Sequence, residues 1–189
     1  MSDQGPRIAP GGVREIGVVN ALFARIAGRV TRTGPPNIFL TLGRHPRLFR
    51  AWLRFAGRLM PRGDLPRTET ELVILRVAHN CDSEYERVQH VRIGRSVGLS
   101  REQIERVADG PDASDWSERQ RALLRATDEL HADRVISGAT WSELAAHYSE
   151  RELIAICMLI GHYEMLAMVL ASLRVQTDVA SRPGSGQRP

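Results

Sequence analysis

Six times along this chain a serine or threonine stands three residues ahead of a glutamate or glutamine, each time at the head of an apolar or amphipathic run. The pairs are Thr68/Glu71, Ser83/Glu86, Ser100/Gln103, Ser117/Gln120, Thr140/Glu143 and Ser149/Glu152. This is the spacing of the capping box, in which the hydroxyl and the longer side chain satisfy each other's orphan backbone N–H at a helix start. Such punctuation predicts a succession of helices. Further helices are predicted upstream. Val13 to Ala27 carries Ile16, Val19, Leu22, Phe23 and Ile26 at helical spacing, with Gly28 as a stop. Pro35-Pro36 breaks the chain, Asn37 caps a short turn, and Pro46 opens a helix to about Met60. The last helix is expected to run to about Val175. No alternating apolar run bounded by turn residues argues for a strand, so the expected fold class is all-α.

One domain, residues 13–178, accounts for the periodic part of the chain. Residues 1–12 and 179–189 lack apolar periodicity and are expected to be disordered. The charge is +4, and all 26 basic residues are arginine. These arginines are scattered among acids, with no basic block or aromatic-basic stripe, so no nucleic-acid partner is expected. The stretch Leu153 to Leu173 is interrupted by Gly161, His162 and Glu164, which favours a buried helix over a membrane span. With no signal peptide at the polar N-terminus, the expected location is the cytoplasm. The two cysteines, Cys81 and Cys157, form no disulfide framework. No metal-ligand spacing joins the candidate residues, so neither a metal nor another cofactor is expected.

The segment from Thr68 to Ser100 reads as a helical hairpin with a break at His79–Asp82. On its second helix Glu86 and His90 are four residues apart and share a face, which Ile93 and Val97 continue. A carboxylate and an imidazole in line with apolar residues form a proton-handling pair if that face turns inward. Glu71, on the first helix, faces them if the hairpin closes. The candidate catalytic residues are therefore His90, Glu71 and Glu86. Capping alone also explains a glutamate at 71 and at 86, and a lone histidine on a helix is commonly structural.

The same segment resembles the carboxymuconolactone decarboxylase family, which includes the AhpD-like alkylhydroperoxidases. The resemblance is carried by Glu71-Leu72-Val73-Ile74-Leu75-Arg76-Val77-Ala78, by Ser83-Glu84-Tyr85-Glu86 with Gln89-His90-Val91, and by Gly98-Leu99-Ser100 leading to Glu102 and Ile104. It extends upstream to Asn37-Ile38-Phe39 and His45-Pro46, and downstream to Asp128-Glu129-Leu130-His131 and Gly161-His162-Tyr163-Glu164. It covers roughly residues 37–178, with the core motif at about 46–130. The fold it implies is an AhpD-like orthogonal helical bundle built around the hairpin. It also implies a homo-oligomer, trimer or hexamer, with sites near subunit boundaries.

The peroxidase branch carries a glutamate, a Cys-x-x-Cys pair and a histidine. Glu71 and His90 match the first and last, while the thiol positions fall on Ser83 and Glu86. Serine is not redox-active, and a carboxylate cannot resolve a sulfenic acid. The resemblance therefore points first to decarboxylase or lactone-type acid/base chemistry on a small organic acid. Peroxiredoxin-type antioxidant activity is the alternative, and a non-catalytic oligomeric scaffold is a third. Cys81, just ahead of the second helix, is the thiol an N-terminal dipole would activate, although a small residue at a helix break explains it too. His131, His147 and His162 are further candidates for the site, and Arg76, Arg87 and Arg92 are candidate carboxylate binders. Cys157 and the tryptophans Trp52, Trp116 and Trp141 read as packing residues.

Overall fold

The computed structural model of the chain describes residues 5–31, 34–60 and 62–178. Every regular element among them is helical: α1 (Val13–Ile16), α2 (Val18–Thr31), α3 (Asn37–Leu42), α4 (Pro46–Leu59), α5 (Arg67–Asn80), α6 (Glu84–Ser96), α7 (Arg101–Arg106), α8 (Glu118–Asp133), α9 (Gly138–Ala145) and α10 (Glu150–Leu173). A 3₁₀ turn, Val107–Asp109, follows α7. The described residues fall into two compact units: those of 5–53 together with 172–178, and those of 54–171.

In the first unit, Gly17 separates α1 from α2 at φ 81°, a left-handed conformation that glycine adopts without penalty. Gly28, expected to stop this helix, lies inside α2. A Cβ there would stand 2.5 Å from the Gly34 carbonyl oxygen, so its glycine serves a close backbone approach. Residues 5–12, expected to be disordered, are hydrogen-bonded. Gly11 N–H donates to the Leu40 carbonyl and Arg7 N–H to that of Leu173, both at 3.0 Å. The expected disorder of residues 1–4 and 179–189 lies outside the described residues. An aromatic cluster of Phe23, Phe39, Phe49 and Trp52 packs this unit, with Phe49 and Trp52 stacked.

The second unit is organised around α5. Of its residues from Glu69 to Ala78 all but Arg76 are buried, the mark of a helix enclosed on every side. Leu72 and Leu75 pack with Leu99, Val107, Trp116 and Leu124 in one apolar cluster. The buried acid Glu69 is compensated by Arg119, which donates to both its oxygens at 2.7 and 3.0 Å, and by the Tyr148 hydroxyl at 3.1 Å. Arg119 also stacks over the Tyr148 ring, 3.9 Å from its centroid.

Three of the six expected capping boxes form, at Ser100, Ser117 and Ser149. The other three do not. α5 starts one residue before Thr68, with Pro66 at its N-cap, so Glu71 falls on the second turn and points inward. Ser83 is the N-cap of α6 but its side chain makes no cap bond. At α9 the cap is Ser137, and Thr140 is the third helical residue.

By length and composition α10 is apolar enough to cross a membrane, yet just over half of its most apolar stretch is buried inside the protein. Leu153, Ile156, Leu159, Ile160, Tyr163, Leu166, Ala167 and Leu170 face inward.

Candidate active site

The α5–α6 hairpin closes as the spacing predicted, and the break falls at Cys81–Ser83. A Cβ at Gly94, one turn beyond His90, would press on Leu99 Cδ1 at 3.1 Å and meet Glu71 Cβ at an ordinary contact distance of 3.8 Å. Glu71 Oε2 and His90 Nδ1 are 2.7 Å apart. Glu71 is fully buried and His90 is 6% exposed. The other Glu71 oxygen accepts from Arg67 at 3.3 Å. A carboxylate held by arginine can only accept, so the proton between the pair belongs to Nδ1. That leaves Nε2 as the nitrogen able to exchange a proton with a bound molecule.

The ring of Tyr163 meets His90 edge-on at 5.2 Å, and His162 meets Tyr163 at 5.2 Å with Phe55 beyond it at 5.3 Å. Phe55, at the far end of this row, lines a shallow surface cleft of about 420 Å³ with Leu59, Asp64, Glu150, Arg151, Ile154, Ala155 and Met158, and none of Glu71, His90 and Glu86 lines it. Burial lowers the His162 pKa to about 4, so this ring is neutral near pH 7. Burial raises the Tyr163 hydroxyl well above its ordinary value, helped by the charges of Glu71 and Glu86.

Glu86, the third predicted residue, is buried at 2% exposure, and neither carboxyl oxygen has a hydrogen-bond partner of good geometry. The reading of this residue as a helix cap is thereby corrected. Its pKa is raised to about 8. Burial is the main cause, nearby Ser83 eases the charge somewhat, and the charge of Glu164 raises the value further. Near neutral pH it is a protonated acid, able to donate.

Cys81 does not sit where a helix N-terminus would activate it. It is the C-cap of α5, and burial together with Glu164 pushes its thiol up to about 12. Its Sγ lies 3.8 Å from His131 Nδ1, and His131 Nδ1 lies 2.7 Å from Glu164 Oε1. Arg134 reaches the other Glu164 oxygen at 3.4 Å. Cys81, His131 and Glu164 come from the end of α5, from α8 and from α10. Sequence reasoning did not join them, because no local spacing relates residues 81, 131 and 164. It missed Arg67 as well. The available signal was its i, i+4 relation to Glu71.

Of the candidate carboxylate binders, Arg76 is committed to structure. It grips Asp128 through two nitrogens at 2.6 and 2.9 Å and donates to the Val107 and Ala108 carbonyls. Arg92 has one buried nitrogen without a partner. Trp116 packs as expected, its indole N–H donating to the Gly110 carbonyl. Trp141 is instead exposed, and with the half-buried Cys157 it lines a second cleft, on α9 and α10.

Residues 46–129 match the sequence model of the carboxymuconolactone decarboxylase family. Within and around that segment the sequence lacks the Cys-x-x-Cys pair. The fold is AhpD-like, as three similar crystal structures illustrate. An uncharacterised peroxidase-related protein from a Silicibacter species is 16% identical, over 95% of this chain and 96% of that one, with a TM-score of 0.80. A variant of the debrominase Bmp8 in complex with 2,3,4-tribromopyrrole is 18% identical over 92% of each chain, with a TM-score of 0.78. A protein from Agrobacterium tumefaciens described as a putative antioxidant defence protein AhpD is 24% identical, over 71% of this chain and 92% of that one, with a TM-score of 0.66. At these identities the likeness establishes the fold. No curated protein matches the sequence.

Proposed function

We propose that this chain is an enzyme that moves protons on a small organic acid or lactone, with His90 as the acid/base, Glu71 as the residue that positions it, and Glu86 as a neutral acid beside it. The observation that carries this reading is the buried 2.7 Å contact between Glu71 and His90 Nδ1. It fixes the ring and its tautomer and reserves Nε2 for the substrate. As a neutral ring His90 accepts a proton at Nε2. As an imidazolium it returns one to the enolate carbon left when CO₂ departs, so the electron pair of the broken C–C bond ends in the new C–H bond. Glu86, protonated near pH 7 and unpartnered, is suited to donate a hydrogen bond to the enolate oxygen as charge develops there. No redox thiol takes part.

A second reading is hydroperoxide reduction at Cys81. The names of two of the similar structures, a peroxidase-related protein and a putative antioxidant defence protein, stand on its side, as does the nearness of Cys81 to His131. The side chains stand against it. The thiol is pushed away from its nucleophilic form, and no second cysteine lies in the motif to resolve a sulfenic acid.

Two assays run side by side separate the readings: decarboxylation of a small lactone acid, and dithiol-driven consumption of an organic hydroperoxide. The acid/base reading expects turnover in the first, reduced by about 10²–10⁴-fold in His90→Ala and unchanged in Cys81→Ser. Peroxide consumption that disappears in Cys81→Ser would replace it with the second.

A further inference from the structure

We propose that Cys81, His131 and Glu164 form a binding site for a zinc ion. Three side chains of different chemistry, from three helices, bring one ligand atom each to within 4.8 Å of one another. Zinc holds sulfur at about 2.3 Å and nitrogen or oxygen at about 2.0–2.2 Å, which sets neighbouring tetrahedral donors roughly 3.3–3.7 Å apart. Cys81 Sγ and His131 Nδ1, at 3.8 Å, already stand at this separation. His131 Nδ1 and Glu164 Oε1, at 2.7 Å, are closed on a shared proton. They need to part by less than 1 Å for a cation to take its place.

The geometry distinguishes a metal site from the other use of a cysteine, a histidine and an acid. In a nucleophilic relay the thiol and the carboxylate engage opposite nitrogens of the ring. Here both are set against Nδ1, so the three donors converge on one point. Arg134, on the outer Glu164 oxygen at 3.4 Å, orients that carboxylate from behind. A second observation points the same way. Glu86 is almost fully buried with both oxygens unpartnered, and it lies close enough to Cys81 and Glu164 for the charges to interact. A cation among the three donors would draw this buried, unpartnered carboxyl towards its charged form.

A thiolate, an imidazole and one carboxylate suit a borderline-soft ion such as zinc and not magnesium or calcium, which take oxygen donors. Three protein donors leave the fourth position open. The exposed edge of His131, 34% accessible at its side chain, opens the site to solvent. Binding releases the Cys81 proton, and the neutral His131 ring that ligates through Nδ1 carries its proton on Nε2.

The full chain, stripped with a chelator, is titrated with Zn²⁺ against a colorimetric zinc indicator, and with Co²⁺ as a spectroscopic probe. The expected result is one ion per chain. The cobalt form shows a thiolate-to-metal absorption band in the near ultraviolet and the visible bands of a four-coordinate ion. Cys81→Ser and His131→Ala weaken zinc binding by more than about a hundredfold, beyond the effect of losing an outer-shell partner. His79→Ala, an exposed histidine outside the cluster, leaves it unchanged. Mg²⁺ and Ca²⁺ do not compete. Circular dichroism checks that each variant folds, and the wild-type cobalt spectrum decides the matter without any variant. Absence of the thiolate band, or zinc binding unmoved in folded Cys81→Ser and His131→Ala, overturns the site.

Discussion

At the scale of single residues, Glu86 shows most plainly how burial changes a side chain's work. Its ordinary pKa of 4.5 rises to about 8 in the fold. Between these values the native chain holds a proton that the unfolded chain has released, so stability falls as pH rises from about 4.5 to about 8. The slope reaches at most about 1.4 kcal/mol per pH unit. Urea unfolding at a series of pH values tests this: Glu86→Gln is expected to flatten the wild-type decline across this window, and an equal decline in both proteins contradicts it. Cys81 is expected to be slow towards iodoacetamide at pH 7.5 in chelator-treated protein, more than tenfold slower than in the unfolded chain, because its thiol is held up near 12. Mass spectrometry of the labelled peptide reads the rate. Labelling as fast as in the unfolded chain would mean that the local field is not the one described. Glu71 and His90 were legible in the sequence, since the motif and the hairpin register both bring them together. The protonation of Glu86 was not, because it depends first on burial, which tertiary packing sets, and in smaller part on the charge of Glu164, 78 positions away on another helix.

Among the helices, the sequence signal was strongest where the cap lies at the surface. Ser100, Ser117 and Ser149 face water, and their boxes close as local chemistry dictates. At α5 and α6 the tertiary structure claims Glu71 and Glu86 for the interior, and the same motif letters mean something else. Thus the pattern located helix starts to within a few residues but misassigned the acids at the two that matter for the site. α5 is enclosed and carries acids, so its placement depends on the charges that meet them. Arg119→Ala leaves Glu69 with the Tyr148 hydroxyl as its remaining hydrogen-bond partner among those described. It is expected to cost about 2 kcal/mol, at the low end for breaking a largely buried pair because Arg119 is itself about a third exposed. A shift in the urea midpoint at constant slope measures it, and a cost below about 0.5 kcal/mol contradicts the compensating role.

For the whole molecule, α10 explains both what the sequence disclosed and what it hid. Its inward face was correctly read as core. Its outward face carries Ile154, Met158, Gly161, Met165 and Met168, alternating at spacings of four and three. That is the narrow apolar seam of a helix that packs against another helix. The homo-oligomer implied by the family resemblance is proposed to use this seam. Light scattering is expected to give a multiple of 21.1 kDa for the wild type and a smaller assembly for Met158→Glu. A monomeric wild type, or an assembly indifferent to that change, argues for another surface. The grouping of Cys81, His131 and Glu164 likewise exists only in three dimensions and left no trace in the linear pattern.

The central claim is that Glu71 fixes the His90 ring by accepting from Nδ1 and so frees Nε2 for proton transfer. Nitrogen-15 NMR of the histidine rings reads this without a known substrate. At a pH where His90 is neutral, its Nδ1 is expected at the shift of a protonated ring nitrogen and its Nε2 at that of an unprotonated one, a preference lost in Glu71→Ala. A neutral His90 that carries its proton on Nε2, or one whose tautomer is indifferent to Glu71, would contradict the account.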